Sequence, residues 1–150
     1  ARQIQDLVSK TVPNNSMPVP VINLVGKTDL KMLYALLGRA ITVIAPDSGP
    51  VHMSIAAGTP AIGLYATSNP DRTGPILGRN WVVNQYPEAV QRFIGRDVEA
   101  VRWGRRVRHP DAMSLITPEM VTERLEQLLA ASVAQRLEPT VDPVRGAKGG

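Results

Sequence analysis

The sequence has 150 residues, of which 43% are hydrophobic, and its 17 Lys and Arg against 13 Asp and Glu give a net charge of +4. This length suits one domain with a core that needs no covalent cross-links. The absence of cysteine excludes disulfide scaffolds, thiolate zinc sites and cysteine nucleophiles. No apolar run reaches the roughly 18 residues of a membrane-spanning helix, and the polar start is unlike a signal peptide. The composition therefore predicts a cytoplasmic protein.

The excess of basic residues suits an anionic partner, but nucleic acid is not the predicted one. Only six aromatic residues occur, and they are not interleaved with Lys and Arg as base stacking requires. The one concentrated basic segment is residues 102–109, with four Arg and no acidic residue. One interpretation is a solvated loop in which the acidic residues of the preceding segment 95–99 pair with some of these arginines.

In chain order, the first predicted elements alternate between helix and strand. Apolar residues at helical spacing indicate a helix that ends near Thr11. An apolar run bounded by proline and glycine then indicates a buried strand over residues 19–25. Thr28 is the predicted N-cap of a leucine-rich helix that ends at Gly38. A second apolar run predicts a strand over residues 41–45.

The next segment repeats this alternation. A tight loop over residues 46–50 leads into a helix predicted from Pro50 to Ala57, and a strand follows over residues 60–65. Short connections between alternating strands and helices predict right-handed crossovers and a Rossmann-like parallel sheet of the α/β class. Because the first helix has no strand before it, we expect that N-terminal chain is missing and that an apolar sheet edge is exposed.

The remaining elements are less regular. Residues 66–80 are rich in Pro, Gly, Asn and Thr, which predicts a long loop at the carboxyl end of the third strand. A further strand over residues 81–84 and a short helix over residues 87–94 are expected after it.

The C-terminal part is predicted to contain one long helix. Thr117 is its predicted cap and Pro118 its first residue, with apolar side chains along one side. Residues 139–150 are rich in Pro and Gly and are expected to form a flexible tail. The predicted domain therefore spans residues 1–138.

The loop between the second strand and its helix has the composition of an anion-binding turn. The backbone amides of Ser48, Gly49 and Val51 are predicted at a helix N-terminus, where the helix dipole favours a phosphate. Pro50 has no N–H and shapes the turn. Asp47 can accept hydrogen bonds from the hydroxyls of a sugar beside that phosphate. Alternatively, Asp47 is simply the cap of the helix.

Other catalytic patterns do not fit. Residues 26–28 are similar to the end of a P-loop, but Val21 stands where that motif needs its first glycine. Asp47 and Ser48 are adjacent and are poorly placed for a hydrolase triad. With two histidines, His52 and His109, and no cysteine, no metal site is expected.

Three separated motifs together resemble one known family. Asp-Ser-Gly-Pro-Val-His begins residues 47–60, residues 68–75 follow it, and Gly-Lys-Thr-Asp-Leu over residues 26–30 precedes the leucine-rich helix. This pattern resembles the C-terminal domain of family 9 glycosyltransferases, the bacterial heptosyltransferases. The resemblance covers residues 21–78, is looser over residues 79–138, and does not extend to the tail.

The resemblance implies the C-terminal half of a GT-B fold, which holds an ADP-sugar without a further cofactor. It implies that Asp47 contacts the donor sugar and that the amides of Ser48, Gly49 and Val51 hold the diphosphate. His52 either contacts the ligand or braces the loop.

The same resemblance places Lys27 and Thr28 near the nucleotide, although an exposed lysine and a helix cap explain them equally well. The loop over residues 66–70 departs from the usual family sequence, so its contacts are not implied. The catalytic base, the acceptor site and the lysine that neutralises the diphosphate are expected upstream, the first two in an N-terminal GT-B domain absent from this sequence.

The implied function is inverting transfer of heptose from ADP-heptose to the inner core of lipopolysaccharide. Two alternatives remain open: a nucleotide-sugar 2-epimerase domain and a non-catalytic nucleotide-binding module. The family acceptor is an anionic lipid at the membrane surface, so Arg105, Arg106 and Arg108 are candidates for peripheral membrane contact, with Trp103 beside them.

Overall fold

The computed structural model describes residues 21–137, with side chains as far as Ser132. In this part of the chain three strands form one parallel sheet in the order β1–β2–β3. The strands are β1 Val43–Pro46, β2 Ala61–Tyr65 and β3 Val83–Asn84. The α-helices are α1 Leu30–Arg39, α2 Gly49–Ala56, α3 Pro70–Thr73, α4 Tyr86–Ile94 and α5 Pro118–Leu137. Short 3₁₀ turns occupy Arg79–Trp81, Val98–Ala100 and Ala112–Leu115.

The β1–α2–β2 unit confirms the predicted α/β class. Its two strands run parallel, with Val43 opposite Ala61 and Pro46 opposite Leu64. Such a connection needs a crossover helix, which α2 supplies. The turn after α2 places Gly58 at φ +80°, a left-handed conformation in which glycine is favoured.

The start of α1 differs from the prediction by one residue. Asp29, not Thr28, is the N-cap, and its carboxylate accepts a hydrogen bond from the Met32 amide at 2.8 Å. Both residue types are good caps, but a carboxylate also interacts favourably with the positive end of the helix dipole.

The strand predicted over residues 19–25 is wrong for the part that the structure describes. Residues 21–24 have no regular secondary structure. The Asn23 side chain accepts a hydrogen bond from the Val25 amide at 3.1 Å, and the Lys27 amide donates to the Leu24 carbonyl at 3.0 Å. These local turns use backbone groups that a strand would pair with a neighbour.

β1 consequently forms one edge of the sheet in the described part of the chain. Ile44 in this strand is 45% exposed, and Ile41 just before it is 75% exposed. The exposed apolar edge expected from the sequence was assigned to a strand missing before the first helix, and the described residues do not test that expectation.

Helices cover the sheet on both faces, because successive residues of a strand point to opposite sides. On one face Ala61 packs with Ala45 and Val51 beneath α2. On the other face Ile62 and Val83 pack with Leu128 of α5. A third buried cluster surrounds α4 and consists of Ala66, Tyr86, Ala89, Val90, Val107 and Ala112.

Within the described residues, the other predicted strands and helices are present with shifted bounds. The loop after β2 contains α3, and the Thr117 hydroxyl accepts a hydrogen bond from the Met120 amide at 3.4 Å as α5 begins. The predicted helix ending near Thr11 and the tail over residues 139–150 lie outside the described residues. No helix between residues 21 and 137 combines the length and apolar character needed to cross a membrane.

Candidate functional site

The candidate site lies at the carboxyl ends of β1 and β2, where open parallel sheets bind their ligands. Asp47 directly follows β1, and Ser68 lies in the loop that follows β2. The Ser68 hydroxyl donates a hydrogen bond of 2.6 Å to Asp47 Oδ2. The two loops are therefore tied together at the edge of the sheet.

Three donors converge on Oδ2 of Asp47. Besides Ser68, the Thr73 hydroxyl donates to this oxygen at 3.0 Å, and Arg106 Nη2 lies 3.5 Å from it. The Asp47 side chain is only 12% exposed. Its other oxygen, Oδ1, makes no hydrogen bond with any described residue, so one acceptor atom stays available to a ligand.

The interpretation of Asp47 as a helix cap is wrong. Ser48 is the N-cap residue of α2, and no side chain accepts a capping hydrogen bond there. The Ser48 hydroxyl instead donates to the Pro46 carbonyl at 3.0 Å. Asp47 thus connects the loops, while the first turn of α2 is left without a side-chain cap.

The start of α2 leaves two backbone donors without an acceptor in the described part of the chain. The amides of Ser48 and Gly49 have no acceptor among the described residues, and a Cβ placed on Gly49 would have no atom within 4 Å. The Val51 amide, by contrast, donates to the Ser48 carbonyl at 3.2 Å, and Val51 is fully buried. The amides of Ser48 and Gly49 are therefore available to donate to an anion, whereas the Val51 amide is already used within the turn.

The other sequence-predicted residues are not brought into this cluster. His52 is exposed, and within residues 21–137 it makes no hydrogen bond or ion pair that would brace the loop. Lys27 is exposed and Thr28 half-buried, and the structure describes no hydrogen bond between either side chain and the Asp47 loop.

Sequence reasoning missed Ser68, Thr73 and Arg106 as partners of Asp47. Ser68 and Thr73 lie in the loop predicted at the ligand-binding edge. Their position in that loop and their hydroxyl groups could have identified them as site candidates from the sequence. Arg106 lies 59 residues from Asp47 along the chain, and no local pattern joins them. In the described part of the chain, no arginine of residues 102–109 forms an ion pair with Asp97 or Glu99, so the expected pairing is not observed. Arg106 is paired with Asp47 instead.

Tyr65, the last residue of β2, lies against this cluster. It is fully buried, and its hydroxyl donates to the Thr73 carbonyl at 3.4 Å. Burial raises the pKa of Tyr65 to about 12, and the negative charge of Asp47 adds to the effect. The phenol therefore stays neutral beside the carboxylate at physiological pH.

A parallel sheet with helices on both faces and polar loops at its carboxyl edge defines a Rossmann-like α/β domain, a fold whose ligands bind at that edge. No group of three or more His, Asp or Glu side chains in the described residues is placed to hold a metal ion.

Comparison with known proteins narrows this class. The profile of glycosyltransferase family 9 (heptosyltransferase) matches residues 5–96. The chain is 39% identical over 106 residues to the lipopolysaccharide core heptosyltransferase OpsX of Haemophilus influenzae, covering 71% of this chain and 30% of that protein. It is 32% identical over 110 residues to the lipooligosaccharide heptosyltransferase 2 of the same organism, covering 73% and 30%. It is 30% identical over 109 residues to the lipopolysaccharide heptosyltransferase 2 of Salmonella typhimurium, covering 72% and 29%.

The chain therefore belongs to glycosyltransferase family 9, the heptosyltransferases. The matched region spans about 30% of the length of these relatives. No solved structure gives a significant match.

Proposed function

We propose that the chain is the donor-binding part of an inverting glycosyltransferase that transfers heptose from ADP-heptose to the inner core of lipopolysaccharide. The proposal rests on one observation: Oδ1 of Asp47 stays available beside the uncapped amides of Ser48 and Gly49. This arrangement offers an acceptor for sugar hydroxyls next to donors for phosphate oxygens. Family membership and the names of the relatives favour transfer over epimerisation.

In this proposal the diphosphate of the donor lies at the start of α2. The amides of Ser48 and Gly49 donate to its oxygens, and the positive end of the helix dipole adds to their effect. Asp47 accepts from the sugar through Oδ1, because Oδ2 is already occupied by three donors. His52, one turn into α2, is a further proposed contact.

Lys27 and Thr28 are proposed to lie near the nucleotide when donor is bound. They precede α1, which packs against α2 through the hydrogen bond from the Tyr34 hydroxyl to the Ala56 carbonyl at 3.3 Å. No described residue of this chain is proposed as the catalytic base, which we assign to an N-terminal GT-B domain.

The proposed reaction is a direct displacement. A base removes the proton of an acceptor hydroxyl, and the resulting oxygen forms a bond to the anomeric carbon of the sugar as the bond to the diphosphate breaks. ADP leaves with the electron pair, and the helix start stabilises the charge that develops on it. The configuration at the anomeric carbon is inverted.

The test is titration of the chain with ADP and with ADP-heptose, followed by backbone amide shifts. We expect perturbations at residues 47–52, and we expect Gly49→Val to abolish them by blocking approach to the backbone. The space around Gly49 is open, so this substitution leaves the fold intact. Ala56→Val, at the exposed far end of the same helix, is the matched control and should bind normally.

Asp47→Ala should weaken binding of ADP-heptose more than binding of ADP, because only the sugar is expected to contact Oδ1. Perturbations confined to residues 102–109, with none at residues 47–52, would overturn the assignment. Tighter binding of UDP than of ADP would favour the epimerase alternative, and binding of either nucleotide with no sugar preference would favour the non-catalytic module.

We further propose that the protein acts at the cytoplasmic face of the membrane, where the lipopolysaccharide acceptor would be presented. Trp103 is 64% exposed and lines the same cleft as Arg105, Arg106 and Arg108. Such residues attract an anionic leaflet by roughly 1 kcal/mol for each arginine. Co-sedimentation with phosphatidylglycerol vesicles at low salt should be lost when the three arginines are replaced by serine, and equal sedimentation of both proteins would remove this role.

A further inference from the structure

A cleft lined by arginine lies beside the Asp47 cluster. Its volume is about 710 Å³, and its lining combines basic and aromatic side chains. The arginines of this cleft, which we call the arginine cleft, are Arg72, Arg102, Arg105, Arg106 and Arg108. Arg72 comes from α3 and the other four from the segment after α4.

Hydrogen bonds to the rest of the domain hold the backbone of residues 105–107 in place. The Tyr86 hydroxyl donates to the Arg105 carbonyl at 2.6 Å, and the Val107 amide donates to the Thr67 carbonyl at 2.9 Å. Val107 is 3% exposed and belongs to the buried cluster around α4. The guanidinium groups on either side of Val107 therefore project from a defined backbone.

Arg72 is brought to the same cleft by close packing on Gly104. A Cβ added to Gly104 would lie 2.9 Å from Arg72 Nη1 and 3.0 Å from its Cζ. Gly104 also has φ +81°, so both the turn and the guanidinium position depend on glycine here. The fold thus places an arginine from an earlier loop directly over the basic segment.

The positive charge in the arginine cleft is poorly compensated. Among residues 21–137, Arg106 forms an ion pair with Asp47, while Arg72, Arg102, Arg105 and Arg108 form none. Like charges that share one cleft repel one another. A bound anion with more than one negative charge relieves this repulsion at several arginines together.

We propose that the arginine cleft binds a phosphate monoester. Guanidinium groups form paired, charge-assisted hydrogen bonds with phosphate oxygens, and a phosphate dianion can engage two or more of them. Arg106 lines the cleft and is also paired with Asp47. A phosphate bound in the cleft would therefore lie next to the donor site. If the proposed function holds, on which this step rests, the phosphate belongs to the molecule that meets the donor sugar.

The experiment is titration of the 150-residue chain with inorganic phosphate at low salt, followed by amide shifts. We expect perturbations at Gly104, Arg105 and Val107, and an affinity that falls as salt rises. Arg72→Gln and Arg105→Gln should each weaken binding by about 10-fold or more, since each removes charge-assisted hydrogen bonds. Arg39→Gln removes the same charge from an exposed position at the end of α1 and should bind phosphate as the wild type does.

Competition separates this site from the donor site. We expect phosphate binding to survive in Gly49→Val, which is designed to lose ADP, and ADP binding to survive in Arg105→Gln. If the wild-type chain binds phosphate but not ADP, the proposed function is wrong and the arginine cleft remains a phosphate site. Full displacement of phosphate by ADP would overturn the proposal, because the cleft would then be part of the donor site.

Two further arms identify the source of the phosphate. Vesicles with phosphatidic acid, a phosphate monoester, would displace inorganic phosphate if the cleft takes a lipid headgroup, and glucose 6-phosphate would do so better than the vesicles if it takes a sugar phosphate. The absence of saturable phosphate binding, or equal weakening in Arg39→Gln, would overturn the proposal.

Discussion

Replacement of Ser68 by alanine tests whether the Asp47 cluster holds the two site loops together. Ser68 is 3% exposed, and its hydroxyl lies 2.6 Å from Asp47 Oδ2. The substitution removes a short hydrogen bond to a carboxylate, and the buried position leaves little room for water to replace it. We therefore expect a lower free energy of unfolding.

The expected magnitude follows from the charge on the acceptor. A hydrogen bond to a charged group contributes about 1.5–3 kcal/mol, compared with about 1 kcal/mol for a neutral pair. Thr73 and Arg106 still contact the same oxygen after the substitution, which limits the loss to the lower part of that range. We expect Ser68→Ala to lower the free energy of unfolding by about 1.5–2 kcal/mol.

Urea denaturation of the chain, monitored by circular dichroism, measures this change as a lower midpoint concentration of urea with an unchanged m-value. The matched control is Ser114→Ala, because Ser114 is exposed and its hydroxyl has no hydrogen bond within the described residues. This control should stay within about 0.5 kcal/mol of the wild type. A double-mutant cycle with Asp47→Ala should give a coupling energy of about 1 kcal/mol. A Ser68→Ala effect as small as the control, with no coupling to Asp47, would refute the reasoning.

Two other predictions concern Tyr65. The pKa of Tyr65 rises from 10.0 to about 12 on folding because the folded protein favours the neutral phenol. The stability that this preference gives the folded state is fully present below pH 10 and is lost as pH rises toward 12. Urea denaturation should show about 2–3 kcal/mol lost across this window, and Tyr65→Phe should lose less than the wild type; parallel curves would contradict this. Gly63→Ala would place its Cβ 2.6 Å from the Tyr65 ring and should cost about 1–3 kcal/mol. Gly38→Ala, within α1, would place its Cβ 3.6 Å from Ala57 Cβ and should be neutral or stabilising. Equal losses in both variants would argue against the clash.

Local patterns predicted the β1–α2–β2 unit well because each boundary has a local physical cause. Pro50 supports the first turn of α2, and Gly58 accepts the left-handed turn that ends the segment. β2 is buried along nearly its whole length, as its short apolar run predicts, whereas β1 buries Ala45 and leaves Ile44 45% exposed at the sheet edge. The cap at Asp29 was missed by one residue because Thr28 is nearly as good a cap and only the folded geometry decides between them.

The strand prediction was wrong over residues 21–25 because strand formation depends on a partner as well as on sequence. An apolar run forms a strand when its backbone groups pair across an adjacent strand. In residues 21–27 local turns satisfy some of these groups instead, through the Asn23 side chain and the Leu24 carbonyl. Hydrophobic pattern alone does not distinguish these outcomes.

The candidate site was predicted only in part for a related reason. The helix start and its aspartate lie within a few residues, so their proximity is evident from the sequence. The partners of Asp47 lie 21, 26 and 59 residues away, and they meet because the loops after β1 and β2 share one edge of the sheet. Arg106 approaches that edge from the segment held by Tyr86 and Thr67, which no periodicity reveals.

The two oxygens of Asp47 separate a structural contribution from a ligand contact. Oδ2 joins the loops, whereas Oδ1 is the atom proposed to meet the sugar, so Asp47→Ala alone removes both at once. Ser68→Ala loosens the connection through Oδ2 and leaves Oδ1 in place. If Asp47 acts on the sugar directly, Ser68→Ala should lower stability with little change in the affinity for ADP-heptose. If both variants weaken ADP-heptose equally, Asp47 acts by holding the loops, and the direct contact through Oδ1 is wrong.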